Sequence, residues 1–398
     1  MNNYLVPCFR FRDFQSIWKE YKVGEIFTVT RGQVLATSKT TTIQSLENPY
    51  PVYSSQTKKN GLMGFYKSYL FDTAITWTTD GANAGTVKFR EGKFFSTNVN
   101  GVLLSNNGYA NIAVAEALNK VAWKYVSKVG NPKLMNNVMS EIKLRLPETI
   151  EEQNEISSFL RDIDDTIDLH QQELDALKQT KQGFLQKMFP KDEETLPTIR
   201  FNSFVETWGQ GEFGKVIKLV GGATPLKENK EYWIGDIVWL SSQEIKNKYV
   251  SKGTYTISEK AVRDNRTKVV PLGTPLIVTR SGILAKRFPI SISSNEVAIN
   301  QDIKALIFDP TKIDTEFIVA QMKAKESYIL NNIVKTGTTV QSVNLPDLNR
   351  MMLHIPQYEE QVKIGEFFRR MDEVIELKEK ELEALKQTKQ GFLQKMFV

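Results

Sequence analysis

Few residues in this chain have types and spacings suited to catalysis. His170 and His354 are the only histidines. Neither has a cysteine or a second histidine nearby, which argues against zinc and against a serine–histidine or cysteine–histidine nucleophile. His354 lies in the apolar run MMLHIP and reads as structural. Cys8 is the sole cysteine, so no internal disulfide or cysteine-based metal site is available, and a small buried hydrophobe is its expected role. The chain has no Gly-x-x-x-x-Gly-Lys-Ser/Thr phosphate loop and no Gly-x-Gly-x-x-Gly fingerprint. Asn48-Pro49-Tyr50 only partly matches the Asn-Pro-Pro-Tyr motif of amino-methyltransferases. Glu141-Ile142-Lys143 has the Glu-x-Lys tail of many nucleases, but within SEIKLRLP it reads as part of an alternating strand. The carboxylates from Asp162 to Asp168 read as a solvated helix face. The expectation is a chain that binds, with no catalytic residues and no metal of its own.

Binding chemistry is more abundant. In the first half, Arg31-Gly32 is followed by Ser54-Ser55-Gln56-Thr57-Lys58-Lys59-Asn60, Trp77-Thr78-Thr79-Asp80-Gly81-Ala82-Asn83 and Ser96-Thr97-Asn98. In the second half stand Thr224-Pro225-Leu226-Lys227, Ser241-Ser242-Gln243-Glu244, Thr279-Arg280-Ser281-Gly282, Lys286-Arg287 and Asn300-Gln301. Lys335-Thr336-Gly337-Thr338-Thr339-Val340-Gln341 closes that series. Asn, Gln and Arg can read base edges bidentately, while Ser, Thr and Lys mostly fix phosphates. Glycine lets a backbone approach closely. Each stretch alone is also ordinary turn chemistry. Their recurrence at matching places in two halves makes them candidate nucleic-acid contacts.

The element that must position them is a repeat. ELDALKQTKQGFLQKMF, from Glu173 to Phe189, returns as ELEALKQTKQGFLQKMF, from Glu381 to Phe397, with sixteen of seventeen positions identical. Two distant copies indicate a duplicated half-molecule, not a solenoid. The match extends upstream at the same 208-residue offset. In the first copy apolar positions fall at Ile156, Leu160, Ile163, Ile167, Leu174, Leu177, Phe184 and Met188, with His170 and Lys181 on the same stripe. The second copy has Ile364, Phe368, Met371, Ile375, Leu382, Leu385, Phe392 and Met396, with Lys378 and Lys389. Spacings of four and three make a heptad seam. Each stretch predicts a helix of roughly 35 residues, about 50 Å long, and each seam is the expected partner of the other.

The halves also align at their starts. Pro7, Arg10, Phe11, Phe14, Trp18 and Gly24 match Pro197, Arg200, Phe201, Phe204, Trp208 and Gly214 at an offset of 190. The larger offset at the helix leaves 18 more residues in the second half. The charged linker from Pro190 to Leu196 separates them. In the first half YPVYSSQ, AITWTTDG, GTVKFR and VNGVLLS read as strands, and residues 110–126 as a helix. In the second half GDIVWLSS, TPLIVTRSG and DIKALIF read as strands, and residues 314–330 as a helix. The fold class is therefore α+β: two similar mixed α/β domains and two long helices forming an antiparallel coiled coil. The expected limits are 1–148 and 191–357 for the domains, and 149–190 and 358–398 for the helices.

At 398 residues, 41% hydrophobic and 25% charged, the composition is that of an ordinary soluble protein. MNNYLVPCFRFRDF contains no basic segment followed by an apolar core, so no secretory leader is expected. No apolar run approaches the ~18 residues of a membrane span, and a cytoplasmic location is expected. The net charge is +6. The two long-helix stretches carry net −5 and −1, leaving +12 on the rest. Basic domains joined by an acidic spacer suit contact with phosphate.

Taken together, these strings resemble the specificity subunits of Type I restriction–modification systems, over essentially the whole length. The resemblance rests on the two-copy layout, Arg31-Gly32, YPVYSSQ…NGLMGFY, ITWTTDGANAGTV, GGATPLKENKEYWIGDIVWLSS, LIVTRSG and AINQDIKAL. Its most specific elements are PETIEEQNEI with PQYEEQVKI and the two LKQTKQGFLQKMF helix ends. The family implies two target recognition domains, each reading one half of a bipartite double-stranded DNA target. It implies long helices that separate them and dock two modification subunits, which would hold S-adenosylmethionine and methylate adenine. Restriction subunits with motor and nuclease activity would cleave. Within such a family the recognition domains vary most, so the match does not fix individual base-reading residues. A helical rod of the expected length can hold two domains near one turn of B-DNA apart, ~34 Å centre to centre. The alternatives are a self-contained DNA methyltransferase or nuclease, which the missing motifs disfavour, and a coiled-coil scaffold.

Overall fold

The computed structural model describes residues 7–56, 58–191, 194–265, 267–337 and 340–397, with only the backbone of Lys58. The chain forms two compact units. One comprises Met1–Gln172 with Lys380–Val398, and the other Glu173–Glu379. Each therefore contains one mixed α/β domain and a half of both long helices, Ile150–Lys187 and Tyr358–Met396.

In the first unit β1 (Lys19–Lys22) pairs antiparallel with β8 (Lys143–Leu146). The main sheet is built from β2 (Thr28–Arg31), β3 (Tyr50–Tyr53), β4 (Leu62–Tyr66), β5 (Phe71–Thr78), β6 (Val87–Ser96) and β7 (Asn100–Leu104), in the order β2-β7-β5-β6-β3-β4. Only the β3–β6 pair is parallel. Alternation along the strands sorts the core. Ile75, Trp77, Val87 and Leu103 pack with Ala113, Val114, Ala117 and Leu118 of the helix Ile112–Ala122. The neighbours Ala74, Phe94 and Val102 face the other way and gather Tyr53, Phe71 and Leu104. Two buried faces explain why these strands read as near-continuous apolar runs.

The second unit repeats this order. β9 (Gly209–Glu212) pairs with the strand Met352–Ile355. β10 (Lys218–Gly221), β12 (Tyr249–Val250), β15 (Pro275–Val278), β16 (Ile290–Ser293) and β18 (Ile303–Ile307) form a sheet ordered β10-β18-β15-β16-β12. Its parallel pair, β12–β16, corresponds to β3–β6. The added length appears as a second sheet, β13-β11-β17-β14, made of β11 (Ile237–Leu240), β13 (Tyr255–Ile257), β14 (Val269–Val270) and β17 (Val297–Ile299). The sequence reading named three strands in this half, which are β11, β15 and β18, and missed β9, β10, β12, β13, β14, β16 and β17.

Within each unit the two helix segments run antiparallel, and their contacts recur with the helices' roles exchanged. In the first unit Lys389 binds Asp164 at 2.6 Å, and in the second Lys181 binds Asp372. Phe159 meets Phe392 at 5.0 Å, and Phe367 meets Phe184 at 5.0 Å. His170 lies 3.9 Å from Glu381, and Lys378 lies 3.3 Å from Glu173. The members of each pair of contacts are 208 positions apart, as in a self-complementary interface. Towards the helix ends the buried stripe widens to include Leu185 and Phe189, which pack on Trp208, Phe317 and Phe368.

Two expectations need correction. Cys8 is exposed, not buried, because Pro7 and the half-buried Phe9 take the inward places and the Phe9 ring packs against Phe392. SEIKLRLP is not one strand: Glu141 ends the helix Asn136–Glu141, and the strand is Lys143–Leu146 alone. Glu141 and Lys143 form surface ion pairs with Lys22 and Glu20, both at 2.8 Å. No helix among the described residues is long and apolar enough to cross a membrane.

Candidate nucleic-acid interface

Each sheet ends in a polar corner of the same construction. In the first unit β5 runs out at Thr78, and Thr79 turns the chain. Its backbone N–H and hydroxyl both donate to the Val99 carbonyl at 3.0 Å, and its carbonyl accepts from Leu134 N–H at 2.9 Å. In the second unit Thr279 does the same after β15. Its N–H and hydroxyl donate to the Asp302 carbonyl at 2.7 and 3.0 Å, and its carbonyl accepts from Val343 N–H at 2.8 Å. Thr79 and Thr279 are both buried. They anchor the loops that carry their neighbours.

The strand entering each corner needs a glycine. A Cβ on Gly32 would lie 2.2 Å from the Ser96 and Thr97 carbonyl oxygens, and one on Gly222 would lie 1.7 Å from the Ile299 carbonyl oxygen. Close backbone approach explains Arg31-Gly32 and Gly221-Gly222 in the sequence. It sets Arg31 across the corner, where Nε donates to the Asn98 carbonyl at 2.7 Å and Nη2 lies 3.5 Å from Asp80. In the second unit Gly221 stands at the place of Arg31, and Thr224, two residues past Gly222, donates to Gln301 Oε1 at 2.7 Å. Arg280 and Ser281 extend from Thr279, and Ser281 N–H donates to the Gln341 carbonyl at 3.1 Å. Arg280 and Thr336 are exposed, and Gln341 is half-buried.

The remaining candidates are distributed unequally. Trp77 is 1% exposed and donates from Nε1 to the Leu134 carbonyl at 3.0 Å, so it belongs to the core. Asn300 is buried and caps its own turn by accepting from Asp302 and Ile303 N–H. Thr97 is buried and Asn98 exposed. Ser54, Ser55, Gln56, Thr78 and Asn83 line a polar cavity of about 220 Å³ in the first unit, with Lys59 exposed beside it. Lys227, Ser241 and Gln243 line a more open hollow of about 510 Å³ in the second, with Ser242 half-buried between the last two. Lys286 is exposed, and Arg287 lines a third cavity with Lys246, Lys248 and Lys323. Thr338, Thr339 and the side chain of Lys58 lie outside the described residues.

The structure adds residues that motif reading passed over. Arg90 forms the floor of the first cavity. Its only sequence signal is a cation inside a strand pattern. Trp233, Trp239 and Tyr255 cluster in the second, with ring centroids 5.3 to 6.5 Å apart. Glu244 accepts from Ser241 N–H at 2.8 Å and from the Ser241 and Thr254 hydroxyls at 2.7 Å. Burial works to raise its pKa, but those bonds hold the carboxyl below the usual range. Among the described residues no three His, Cys, Asp or Glu side chains could together hold a metal ion.

This layout has known counterparts. The chain is 32% identical over 160 residues to the specificity subunit of the Escherichia coli Type I restriction enzyme EcoR124I/EcoR124II, which spans 40% of this chain and 39% of that one. It is 22% identical over 418 residues to the specificity subunit of the Methanocaldococcus jannaschii Type I restriction enzyme MjaVIII, which spans 94% and 91%. The crystal structure of the Mycoplasma genitalium Type I restriction–modification S subunit superposes with a TM-score of 0.67 over 99% of both chains at 15% identity, so it shares the fold. The sequence model described as the Type I restriction modification DNA specificity domain matches twice, over residues 15–179 and 205–387. A duplicated polar-cornered domain with a recurring helix pair thus meets two family matches that together cover most of the sequence, and the chain belongs to the Type I restriction–modification DNA specificity family.

Proposed function

We propose that this chain is the sequence-specific DNA-binding subunit of a Type I restriction–modification complex, each α/β domain reading one half of a bipartite target. The observation that carries this reading is one scaffold with different side chains. The Thr79 and Thr279 corners share their hydrogen bonds. Around them Arg31, Asp80 and Asn98 in one half stand where the other half has Gly221, Arg280 and Gln301. Arginine only donates, aspartate only accepts, and the asparagine or glutamine amide does both; with these groups at different places around the two corners, the two half-sites differ. The long helices set the spacer and dock two modification subunits. Those subunits bind S-adenosylmethionine and methylate adenine, and restriction subunits join through them. This chain supplies no catalytic residue and acts in the cytoplasm. Methylome sequencing of cells that carry the matching modification subunit, with and without this chain, tests the proposal. A split motif methylated only in the presence of the chain is expected, and unchanged methylation would overturn it.

A further inference from the structure

Arg90, on β6, is 5% exposed. Burying a guanidinium without a counter-charge is unfavourable. Its partners among the described residues are neutral. Nε donates to Thr76 Oγ1 at 3.2 Å, Nη1 donates to the Asn60 carbonyl at 2.9 Å, and the guanidinium lies 3.8 Å from the Tyr53 ring centroid. Arg10 and Arg200, by contrast, each close on a buried glutamate. The cavity above Arg90 is walled by Ser54, Gln56, Thr78, Asn83 and Lys88, and no Asp or Glu stands among its described lining residues. It therefore carries two cations and no anion.

The backbone is bent to hold this arrangement. Lys59, Asn60 and Gly61 take φ of 48°, 54° and 86° in succession, a left-handed run that non-glycine residues rarely adopt. This run turns the Asn60 carbonyl onto Arg90. A Cβ on Gly61 would come within 3.0 Å of Arg90 Nη2. Burial pushes the guanidinium pKa down to about 10, with the Tyr53 ring opposing it, which is the signature of a missing counter-charge.

We infer that this cavity is an oxyanion site that takes one phosphate group, with Arg90 at its floor and Lys88 at its rim. Arginine supplies paired donors to phosphate oxygens, and the serine, threonine and amide groups of the wall are the neutral donors that commonly complete such contacts. The phosphate is either free in solution or belongs to a DNA backbone. The second source rests on the DNA-recognition reading.

The test uses the full chain, alone and with its modification subunits. Inorganic phosphate is titrated at constant ionic strength against a chloride control and followed by ³¹P NMR. Saturable line broadening is expected for the wild type, abolished by Arg90→Gln and weakened by Lys88→Gln. Lys88 is exposed and its ammonium has no partner among the described residues, so Lys88→Gln keeps the test valid if Arg90→Gln does not fold. In the second arm, binding of the complex to its target duplex is measured against salt. Loss of about one unit of slope in Lys88→Gln with the same sequence recognised assigns the site to a DNA phosphate, with or without ³¹P broadening. Lost broadening with an unchanged slope assigns it to free phosphate. The inference is overturned if neither effect appears, if broadening persists in both variants at unchanged slope, or if the recognised sequence changes at unchanged slope, which would mean that the cavity reads a base. Failure of the DNA reading would show separately, as a wild-type complex that binds no bipartite site.

Discussion

Glu152 accepts two guanidinium bonds from Arg10, 142 residues upstream, at 2.6 and 2.7 Å, and Glu360 accepts two from Arg200 at 2.7 Å. Both glutamates are buried, at 0% and 1% exposure. The adjacent glutamines finish the joint: Gln153 donates to the Pro147 carbonyl and Gln361 to the Pro356 carbonyl, each at 3.0 Å. This is the physical content of PETIEEQ and PQYEEQ. The proline ends the return strand, the second glutamate takes the arginine from the segment that opens the half, and the glutamine fastens the helix start to the strand end.

Removing one partner of such a pair strands a buried charge. Arg10→Ala is expected to destabilise by about 3–5 kcal/mol, while Arg10→Met with Glu152→Met recovers most of that loss. Urea unfolding of the single and double variants measures the difference. Equal destabilisation in both would show that Glu152 does not depend on Arg10.

Gly32→Ala and Gly222→Ala place a Cβ where a carbonyl oxygen already lies. Each is expected to cost about 1–3 kcal/mol through forced backbone shifts and to weaken DNA binding by its own half. Thermal unfolding together with duplex binding checks both effects.

Gly183 and Gly391 are the opposite case. Both lie within long helices, and an added Cβ would meet nothing within 4 Å. Replacing either with alanine is expected to stabilise by about 0.5–1 kcal/mol, read as a higher urea midpoint at unchanged slope.

Glu244 holds the Ser241 turn only as a carboxylate. Its folded pKa is lowered, so its contribution is present above the unfolded value of 4.5 and is lost as pH falls through the folded value. Glu244→Gln is expected to flatten the stability–pH curve below pH 4.5. An unchanged curve would show that the carboxylate does not hold the turn.

One heptad inserted after Gln172 and another after Lys380 lengthens both helices by about 10 Å and keeps the seam in phase. The methylated target is then expected to gain roughly three base pairs of spacer, at 3.4 Å each, with both half-sites unchanged. A target of unchanged spacing would remove the helices from that role.

Much of this protein was legible along the chain because the relevant signals are local and repeated. A seam of fours and threes defines two helices, and because the copies are nearly identical, each stripe fits the other. Contacts 208 positions apart, such as Lys389–Asp164 and Lys181–Asp372, follow from that self-complementarity. The alignment likewise paired Arg10 with Arg200 without showing what either binds, since a salt bridge across 142 residues leaves no local trace. The candidate contacts were legible only as polar stretches. Burial separates them: Trp77 and Asn300 serve the core and a turn, while Arg31, Asn98 and Arg280 reach the surface. Side-chain alternation and hydrogen bonding to distant carbonyls make that division, and both depend on strand register. Arg90 is the clearest instance. In the sequence it is one basic residue among many, and only the left-handed turn at Lys59–Gly61 and the carboxylate-free wall around it make it the floor of a site.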